Sequence, residues 1–464
     1  MSQIQLSRRN FLVGAGAVSL GFGGLHRLFA ATNMAPPNVS AMPLRYGPLK
    51  ADPAGLFDLP DGFSYKIVSR AGKLMTDGFL TPGKPDGMAT FAAGPGQVIV
   101  VRNHELNVTD AAAGPFGPTN AIPAGFDQSK IYDLARGVPC AGGTTSFVWD
   151  LKEQALVSDH ASLMGTIRNC AGGPTPWGSW VTCEETVVKT SGTLEKDHGY
   201  NFDVPATASG IATPIALKAM GRFNHEAIAV NPLSGIVYQT EDDGEGLIYR
   251  FIPTTPGKLS DGGRLQALVV TDKPSLDTRN WTSQLVARGE LLNVQWIDMT
   301  DVESPNGDLR YRGFAAGAAR FARGEGMWYG NNGIYFACTN GGPLKKGQIW
   351  KYTPSPNEGT ATESTNPGKL ELFIQSADAG ILENCDNLCV APWGDLALCE
   401  DGPGSNHLIG VTPKGEIYKM GRNAVSDSEV AGCTFSPDGS TLFVNIQQDG
   451  YTLAITGPWQ KGNG

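Results

Sequence analysis

The sequence predicts an all-β fold, specifically a six-bladed β-propeller with long loop insertions that cover one face of the disc. Three observations lead to this prediction: Gly and Pro are spread along the whole chain, short apolar runs alternate with turn residues, and one hairpin pattern recurs. The 464-residue chain contains 60 Gly and 31 Pro, and no long stretch has the periodicity of an amphipathic helix. We therefore expect a single β domain over residues 32–464 rather than several smaller domains.

The recurring pattern is a strand that leads through a turn of the Pro-x-Gly or Asn-Gly type into a second strand with a polar or acidic end. Its six copies lie in residues 86–105, 170–185, 225–243, 325–340, 386–401 and 429–445. Repeated multi-strand units with a turn signature are typical of β-propellers, whereas a β-sandwich with coincidental turns is the competing interpretation. The uneven spacing predicts inserted loops at residues 107–134, 254–294 and 354–369.

The N-terminus predicts an export signal. Arg8 and Arg9 form a twin-arginine pair ahead of a short, Gly-rich apolar run, and Ala30 and Ala31 supply the small residues of a cleavage site. The run is shorter than the ~20 apolar residues that a membrane span needs. We expect residues 1–31 to be read by the twin-arginine (Tat) export machinery, with a periplasmic or secreted mature protein and no stable membrane insertion.

Charge and cysteine content exclude further classes of function. The net charge is −9 and the pI is about 5.3, and no basic run follows the N-terminus, so nucleic acid is not an expected partner. The eight Cys have no zinc-site spacing. An exported protein can form disulfides, but most of these Cys are expected to be small buried hydrophobes.

The polar ends of the hairpins are predicted to meet at one place. The start of the first strand and the end of the second lie at the same end of a hairpin, and propeller blades repeat around an axis, so these ends share one mouth of the central channel. The residues expected around this mouth are Asp86, Glu105, Cys183, Glu184, Glu185, His225, Glu226, Glu241, Asp242, Arg323, Glu325, Asp386, Asn387, Glu400 and Asp401.

So many carboxylates cannot share a small space without compensation, because each buried unpaired charge costs several kcal/mol. Bound multivalent cations would balance them, and oxygen donors suit hard ions such as Ca²⁺, Mg²⁺ or Fe³⁺. The predicted metal ligands are Glu105, Cys183, Glu184, Glu226, Glu241, Glu325, Asp386 and Glu400. The alternative is that these acids cap turns around a solvated rim.

Two of these residues are also predicted to take part in catalysis. Cys183 lies in a Thr-Cys-Glu-Glu sequence, where a thiolate would favour iron, although simple burial of the thiol is equally open. Arg323 precedes Glu325 by two residues and could clamp an anion, with a surface ion pair as the alternative. His104 and His225 each precede a Glu, and we expect those glutamates rather than the histidines to be ligands.

Several of these motifs resemble the PhoX-type alkaline phosphatases. They are Asn103-His104-Glu105, Thr182-Cys183-Glu184-Glu185, Arg222-Phe223-Asn224-His225-Glu226, Arg323-Gly324-Glu325, Asp386-Asn387 and Val444-Asn445. The resemblance implies a monomeric six-bladed propeller that hydrolyses small-molecule phosphate esters and carries two Fe³⁺ and two or three Ca²⁺. It also implies that Cys183 is an iron ligand and that Arg323 contacts substrate.

This chain departs from the family pattern at Arg323-Gly324-Glu325, where the family has Arg-Pro-Glu, and it is shorter than well-known members. The fold and the metal site therefore carry over better than the activity. A calcium-dependent propeller lactonase or other hydrolase, or a non-catalytic envelope-binding propeller, are the alternative functions.

Overall fold

Strands dominate residues 45–459, the part of the chain that this computed structural model describes. The predicted export signal lies outside the described residues. The strands are β1 (Leu49–Lys50), β2 (Phe57–Pro60), β3 (Ser64–Arg70), β4 (Pro85–Ala92), β5 (Gln97–His104), β6 (Gly142–Asp150), β7 (Ala155–Thr166), β8 (Asn169–Pro174), β9 (Ser179–Glu184), β10 (Asn201–Pro205), β11 (His225–Val230), β12 (Val237–Glu241), β13 (Ile248–Pro253), β14 (Gly263–Val270), β15 (Leu291–Asp298), β16 (Gly324–Gly330), β17 (Gly333–Cys338), β18 (Gln348–Thr353), β19 (Gly368–Gln375), β20 (Cys385–Val390), β21 (Leu396–Glu400), β22 (His407–Val411), β23 (Ile417–Asn423), β24 (Val430–Phe435), β25 (Thr441–Ile446) and β26 (Tyr451–Thr456).

Helical structure is sparse in the same described part of the chain. It consists of the α-helix α1 (Leu309–Ala315) and short 3₁₀ turns at Val108–Ala113, Gln128–Lys130, Ala135–Gly137, Lys218–Met220, Leu259–Asp261 and Glu363–Thr365. Within residues 45–459, no helix combines the length and the apolar character needed to cross a membrane.

Each of the six predicted hairpins is an antiparallel strand pair in the structure. The pairs are β4–β5, β8–β9, β11–β12, β16–β17, β20–β21 and β24–β25. The turn between β16 and β17 shows why the local sequence works: Asn331 and Asn332 both adopt positive φ, at 48° and 57°. This is the conformation that a two-residue type I′ hairpin turn requires and that Asn tolerates.

The strands form five hydrogen-bonded sheets. Their strand orders are β4-β5-β6-β7, β8-β9-β10, β11-β12-β13-β14-β15-β19-β18-β17-β16, β1-β2-β23-β22-β21-β20 and β24-β25-β26-β3. The nine-stranded sheet holds two hairpin units joined through β15. The prediction of a β-propeller is thus confirmed as an all-β, propeller-like fold, but the hairpin units are not six separate sheets.

The first strands of the six units form a closed circle. β4 packs on β8, β8 on β11, β11 on β16, β16 on β20, β20 on β24, and β24 returns to β4. Glycine is required where these strands approach most closely: a Cβ on Gly87 would lie 2.6 Å from Ala171 Cα, and one on Gly326 would lie 2.6 Å from Leu388 N. The space left between the strands is about 20 Å³, room for about one water molecule.

One predicted insertion is wrong in part. Residues 254–294 contain β14 and the beginning of β15, and β14 pairs with both β13 and β15. Its run Ala-Leu-Val-Val is buried on both faces, so the period-two alternation expected of a half-exposed strand is absent there. Residues 107–134 contain short helical turns, irregular structure and one isolated bridge, between Ile131 and Met164.

Candidate metal centre

One backbone position supplies a potential metal ligand in five of the six hairpin units. In every unit, a residue near the start of the first strand is paired, and the pairing register shifts directly after it. The residue that follows this paired residue lies at the mouth of the circle. The five ligands at this position, called the inner ring below, are Asp86, Cys170, Glu226, Glu325 and Asp386. In the sixth unit the position is Gly432, which has a φ of 61°.

A second position supplies four more carboxylates. In each unit, one residue of the second strand pairs with the first-strand residue at which the register shift (a β-bulge) begins. The residue that follows it along the chain again lies at the mouth. The acids at this position, called the outer ring below, are Glu105, Glu185, Asp242 and Asp401. In each case the backbone N–H donates to the carbonyl oxygen of the residue before the first strand, for example Glu185 to Arg168 at 2.9 Å.

The two rings bring their donor atoms together. In four overlapping groups, one donor atom from each residue lies within 4.8 Å of the others. The groups are Cys170 with Glu185 and Glu226, Glu226 with Glu325 and Asp386, Asp386 with Asp401 and Glu429, and Asp86 with Glu105 and Glu429. Because neighbouring groups share members, the donors form one continuous cluster at the mouth.

Glu226 gives the test of whether this cluster fits cations. Its side chain is 0% exposed, and neither carboxylate oxygen has a hydrogen-bond partner among the described residues. Burial raises the pKa of Glu226, and the carboxylates of Glu185 and Asp386 raise it further. Buried polar groups are nearly always paired, so two orphaned oxygens facing other carboxylates fit a site built for cations.

The same surroundings act on the rest of the inner ring. Burial, followed by repulsion from Asp401, raises the pKa of Asp386 to about 8. Cys170 Sγ lies 3.8 Å from Asp86 Oδ2, and burial together with Asp86 and Glu226 raises the pKa of the thiol. A thiolate at Cys170 therefore needs a bound cation to stabilise it.

Cys183, the cysteine that the sequence analysis selected, does not join the cluster. It is 0% exposed and packs in an apolar cluster with Val181, Phe223 and Tyr249. The structure instead places Cys170, from the start of the same hairpin, beside Glu185 and Glu226.

Three predicted carboxylate ligands are displaced by one residue. Glu184, Glu241 and Glu400 each pair directly with the start of a bulge, and the outer-ring acids follow them. Successive side chains of a strand point to opposite faces, so these three turn away from the mouth. Each accepts hydrogen bonds from protein donors: Glu184 from Ile167, Gly199 and His198, Glu241 from Leu247 and Tyr249, and Glu400 from Glu383 and His407. Hydrogen bonds from the protein thus satisfy these three carboxylates.

Glu105, Glu226, Glu325 and Asp386 lie in the cluster as predicted. The two histidines that precede glutamates do not reach it: His104 bonds Gly83 and Thr145, and His225 bonds the Gly221 carbonyl oxygen. The sequence analysis missed Glu429, Cys170 and Arg168. The strand-start position of Cys170 in its hairpin was the available signal.

Two arginines, Arg168 and Arg323, pair with acids of the rings at the mouth. Arg323 forms a two-pronged pair with Asp242, with Nε and Nη2 at 2.7 and 2.6 Å from its carboxylate oxygens, and also lies 3.1 Å from Glu325. Burial alone would lower the pKa of Arg323, but Glu325 and Asp242 raise it above the usual value. The side chain is 40% exposed, so its remaining N–H groups are accessible to an anion.

A separate buried group contains Asp133, Cys140 and His198. It is not built like the cluster, because His198 donates to Glu184 and contacts Asp133 at 3.2 Å. Asp133 also accepts from the backbone N–H groups of Ala135 and Lys196. Hydrogen bonds and ion pairs within the protein thus satisfy the charges of this group. Burial lowers the pKa of His198, but the carboxylates of Glu184 and Asp133 outweigh this effect and raise it to about 11.

Fold and site together define an all-β, propeller-like protein that gathers several carboxylates and one thiol at one mouth of its channel. The profile of the family described as "Alkaline phosphatase PhoX" matches residues 44–148 and 138–450. The chain belongs to this family and is a hydrolase of the phosphatase class.

One solved structure agrees with this fold. Pseudomonas fluorescens PhoX, in complex with vanadate as a transition-state analogue, matches with a TM-score of 0.66 and 18% identity over 90% of this chain and 98% of that chain. A Xanthomonas campestris gluconolactonase matches at a TM-score of 0.42 and 13% identity, over 90% of this chain and 99% of that one. A comparison with curated protein sequences gave no match.

Proposed function

We propose that this protein is an exported, metal-dependent phosphoric-monoester hydrolase whose active site is the two-ring cluster. The observation that carries the proposal is Glu226, a fully buried carboxylate whose oxygens have no hydrogen-bond partner among the described residues. Within a family of alkaline phosphatases, such a group at the centre of overlapping donor sets is best explained as a ligand to catalytic cations.

The donor set supports a mixed metal complement. Oxygen donors suit Ca²⁺ and Fe³⁺, and the single soft donor, Cys170, favours a transition metal. We propose two Fe³⁺ near Cys170, Glu185 and Glu226, with two or three Ca²⁺ among the remaining carboxylates. When bound, these cations would offset the carboxylate charge, polarise the phosphoryl oxygens and activate a water-derived nucleophile.

The residues of the chain would then divide the work. The inner ring holds the cations, and Arg323 binds the phosphoryl oxygens through the N–H groups that Asp242 and Glu325 leave free. The first strands close the channel below the site, so substrate enters from the mouth only. Phosphoryl transfer is catalysed chiefly by positioning and charge stabilisation, and this arrangement supplies both.

Three further properties belong to the same proposal. Counting the nine-stranded sheet as two units joined through β15 gives six blades, in keeping with the closed circle of six first strands. We also propose a monomer and a periplasmic or secreted location reached through the Tat machinery. Tat exports folded proteins, which suits a site whose ligands come from strands across the whole chain.

The test is hydrolysis of p-nitrophenyl phosphate at alkaline pH by protein purified through its native export route. We expect turnover that chelation abolishes, with iron and calcium found by elemental analysis. Lactone hydrolysis without phosphatase activity, or phosphatase activity that survives complete metal removal, would refute the proposal.

A further inference from the structure

Arg168 occupies the same backbone position in the second hairpin unit that Arg323 occupies in the fourth. Each arginine directly precedes a first strand, β8 or β16. Each adopts the left-handed conformation, with φ of 50° and 54°. Lys84 and Asn384, which precede β4 and β20, adopt the same conformation, so it belongs to the repeated hairpin unit.

Arg168 pairs with Glu105 as Arg323 pairs with Asp242, in each case the outer-ring acid of the preceding unit. Its Nη2 lies 2.8 Å from Glu105 and 2.5 Å from Glu185, both of the outer ring, and Nε donates to Glu105 at 3.0 Å. Burial by itself would lower the pKa of Arg168, but Glu185 and Glu105 raise it above the usual value. Its side chain is 33% exposed, while Glu105 and Glu185 are 15% and 10% exposed.

The two arginines are joined by a single pair of acids. Glu185, which holds Arg168, interacts with Asp242, which holds Arg323. The guanidinium groups are the more exposed members of this chain of charges, and Cys170 and Glu226 lie in the same donor group as Glu185. An anion bound to cations at that group would meet both arginines.

We propose that Arg168 is a second anion-binding residue of the site and forms, with Arg323, a two-arginine clamp on the phosphoryl group. This inference rests on the proposed function. Without cations, the outer-ring acids engage the guanidinium N–H groups. When cations share those acids, the N–H groups are free to donate to phosphoryl oxygens, so anion affinity depends on the metals.

The test is calorimetric titration of the metal-loaded and the chelated protein with inorganic phosphate. We expect Arg168→Gln to raise the phosphate Kd of the loaded protein about 10- to 100-fold, the effect of losing one or two charge-assisted hydrogen bonds. Arg168→Lys should recover only part of this loss, because an ammonium cannot donate as a planar fork. The chelated wild type should bind phosphate far more weakly than the loaded form.

Lys84 provides a matched control. It occupies the equivalent position before β4, also with positive φ (45°), but its Nζ pairs with Asp110 at 2.8 Å and not with an outer-ring acid. Lys84→Gln should therefore leave the phosphate Kd unchanged. Metal content and melting temperature are measured for every variant.

Each outcome decides the matter. An unchanged Kd in Arg168→Gln overturns the clamp, and so does a raised Kd accompanied by metal loss, since Arg168 would then act only by positioning the acids. Equal phosphate binding by the loaded and chelated wild type overturns the metal dependence. If the loaded wild type binds no phosphate and has no phosphatase activity, the proposed function itself fails.

Discussion

The sharpest prediction concerns the two cysteines of the second hairpin unit. Cys170→Ser should remove a metal ligand, whereas Cys183→Ser should only disturb packing. Cys170 Sγ lies 3.8 Å from Asp86 Oδ2 and in one donor group with Glu185 and Glu226. Cys183 packs among apolar side chains, and burial followed by the nearby Glu226 carboxylate raises the pKa of its thiol.

The magnitudes follow from these surroundings. A hydroxyl is a much poorer ligand for a transition metal than a thiolate, so we expect Cys170→Ser to reduce iron affinity at least about ten-fold. The new hydroxyl can donate to Asp86, so the stability of the chelated protein should change by less than about 1 kcal/mol. In Cys183→Ser, a hydroxyl buried among apolar groups should lower the unfolding free energy by about 1–3 kcal/mol and leave iron content unchanged.

The assay combines iron per protein by elemental analysis, the thiolate-to-iron absorption band, and denaturant unfolding of the chelated proteins. The wild type and both variants are prepared in parallel. Iron loss in Cys183→Ser together with full iron occupancy in Cys170→Ser would refute our assignment of the thiol ligand.

Three further predictions address the carboxylates and the ring. Asp401→Asn should lower metal content with little effect on the stability of the chelated protein. Glu400→Gln weakens the hydrogen bonds from the N–H groups of Glu383 and His407, so it should lower the unfolding free energy by about 1–3 kcal/mol and keep the metals. The reverse pattern would contradict the ring assignment. Burial and Asp401 raise the pKa of Asp386 to about 8. The folded chelated protein should therefore hold more protons than the unfolded chain above about pH 4 and lose stability as the pH rises towards 8. Denaturant unfolding at several pH values measures this slope, which added Ca²⁺ should remove, and a flat profile without Ca²⁺ would count against the prediction. Gly432→Ala should lower the unfolding free energy by about 1–3 kcal/mol, because a Cβ there would lie 2.2 Å from the backbone oxygen of Asp86. A melting temperature equal to that of the wild type would show that the strand relaxes to accept the methyl group.

The hairpin pattern and the convergence of strand ends could be read from the sequence because turn residues and acidic ends are local features. Glu105, Glu226, Glu325 and Asp386 were expected at the mouth on that basis, and their donor atoms meet in the cluster. The remaining ligands depended on which face each residue takes, and this is decided by a bulge in every first strand. A shift of one residue exchanges Glu184 for Glu185.

The structure also groups a different cysteine with the carboxylates from the one that the sequence suggested. Cys183 adjoins two glutamates in sequence, and this neighbourhood suggested a ligand set. Side chains of consecutive strand residues diverge, whereas Cys170 reaches Glu226 across two different units. Contacts between units are set by how strands pack around the circle, and no local pattern encodes that. Five sheets rather than six likewise result from the long-range pairing of β15 with both β14 and β19.

The last sheet is completed by β3, which pairs antiparallel with β26. During synthesis, β3 leaves the ribosome early and remains without its neighbour until almost all of the polypeptide has been made. Closing the circle therefore needs the last part of the chain, and Asp86 cannot meet Glu429 before that part has been made. A chain that ends before Glu429 therefore lacks the two donor groups that this residue shares with Asp86 and Asp386.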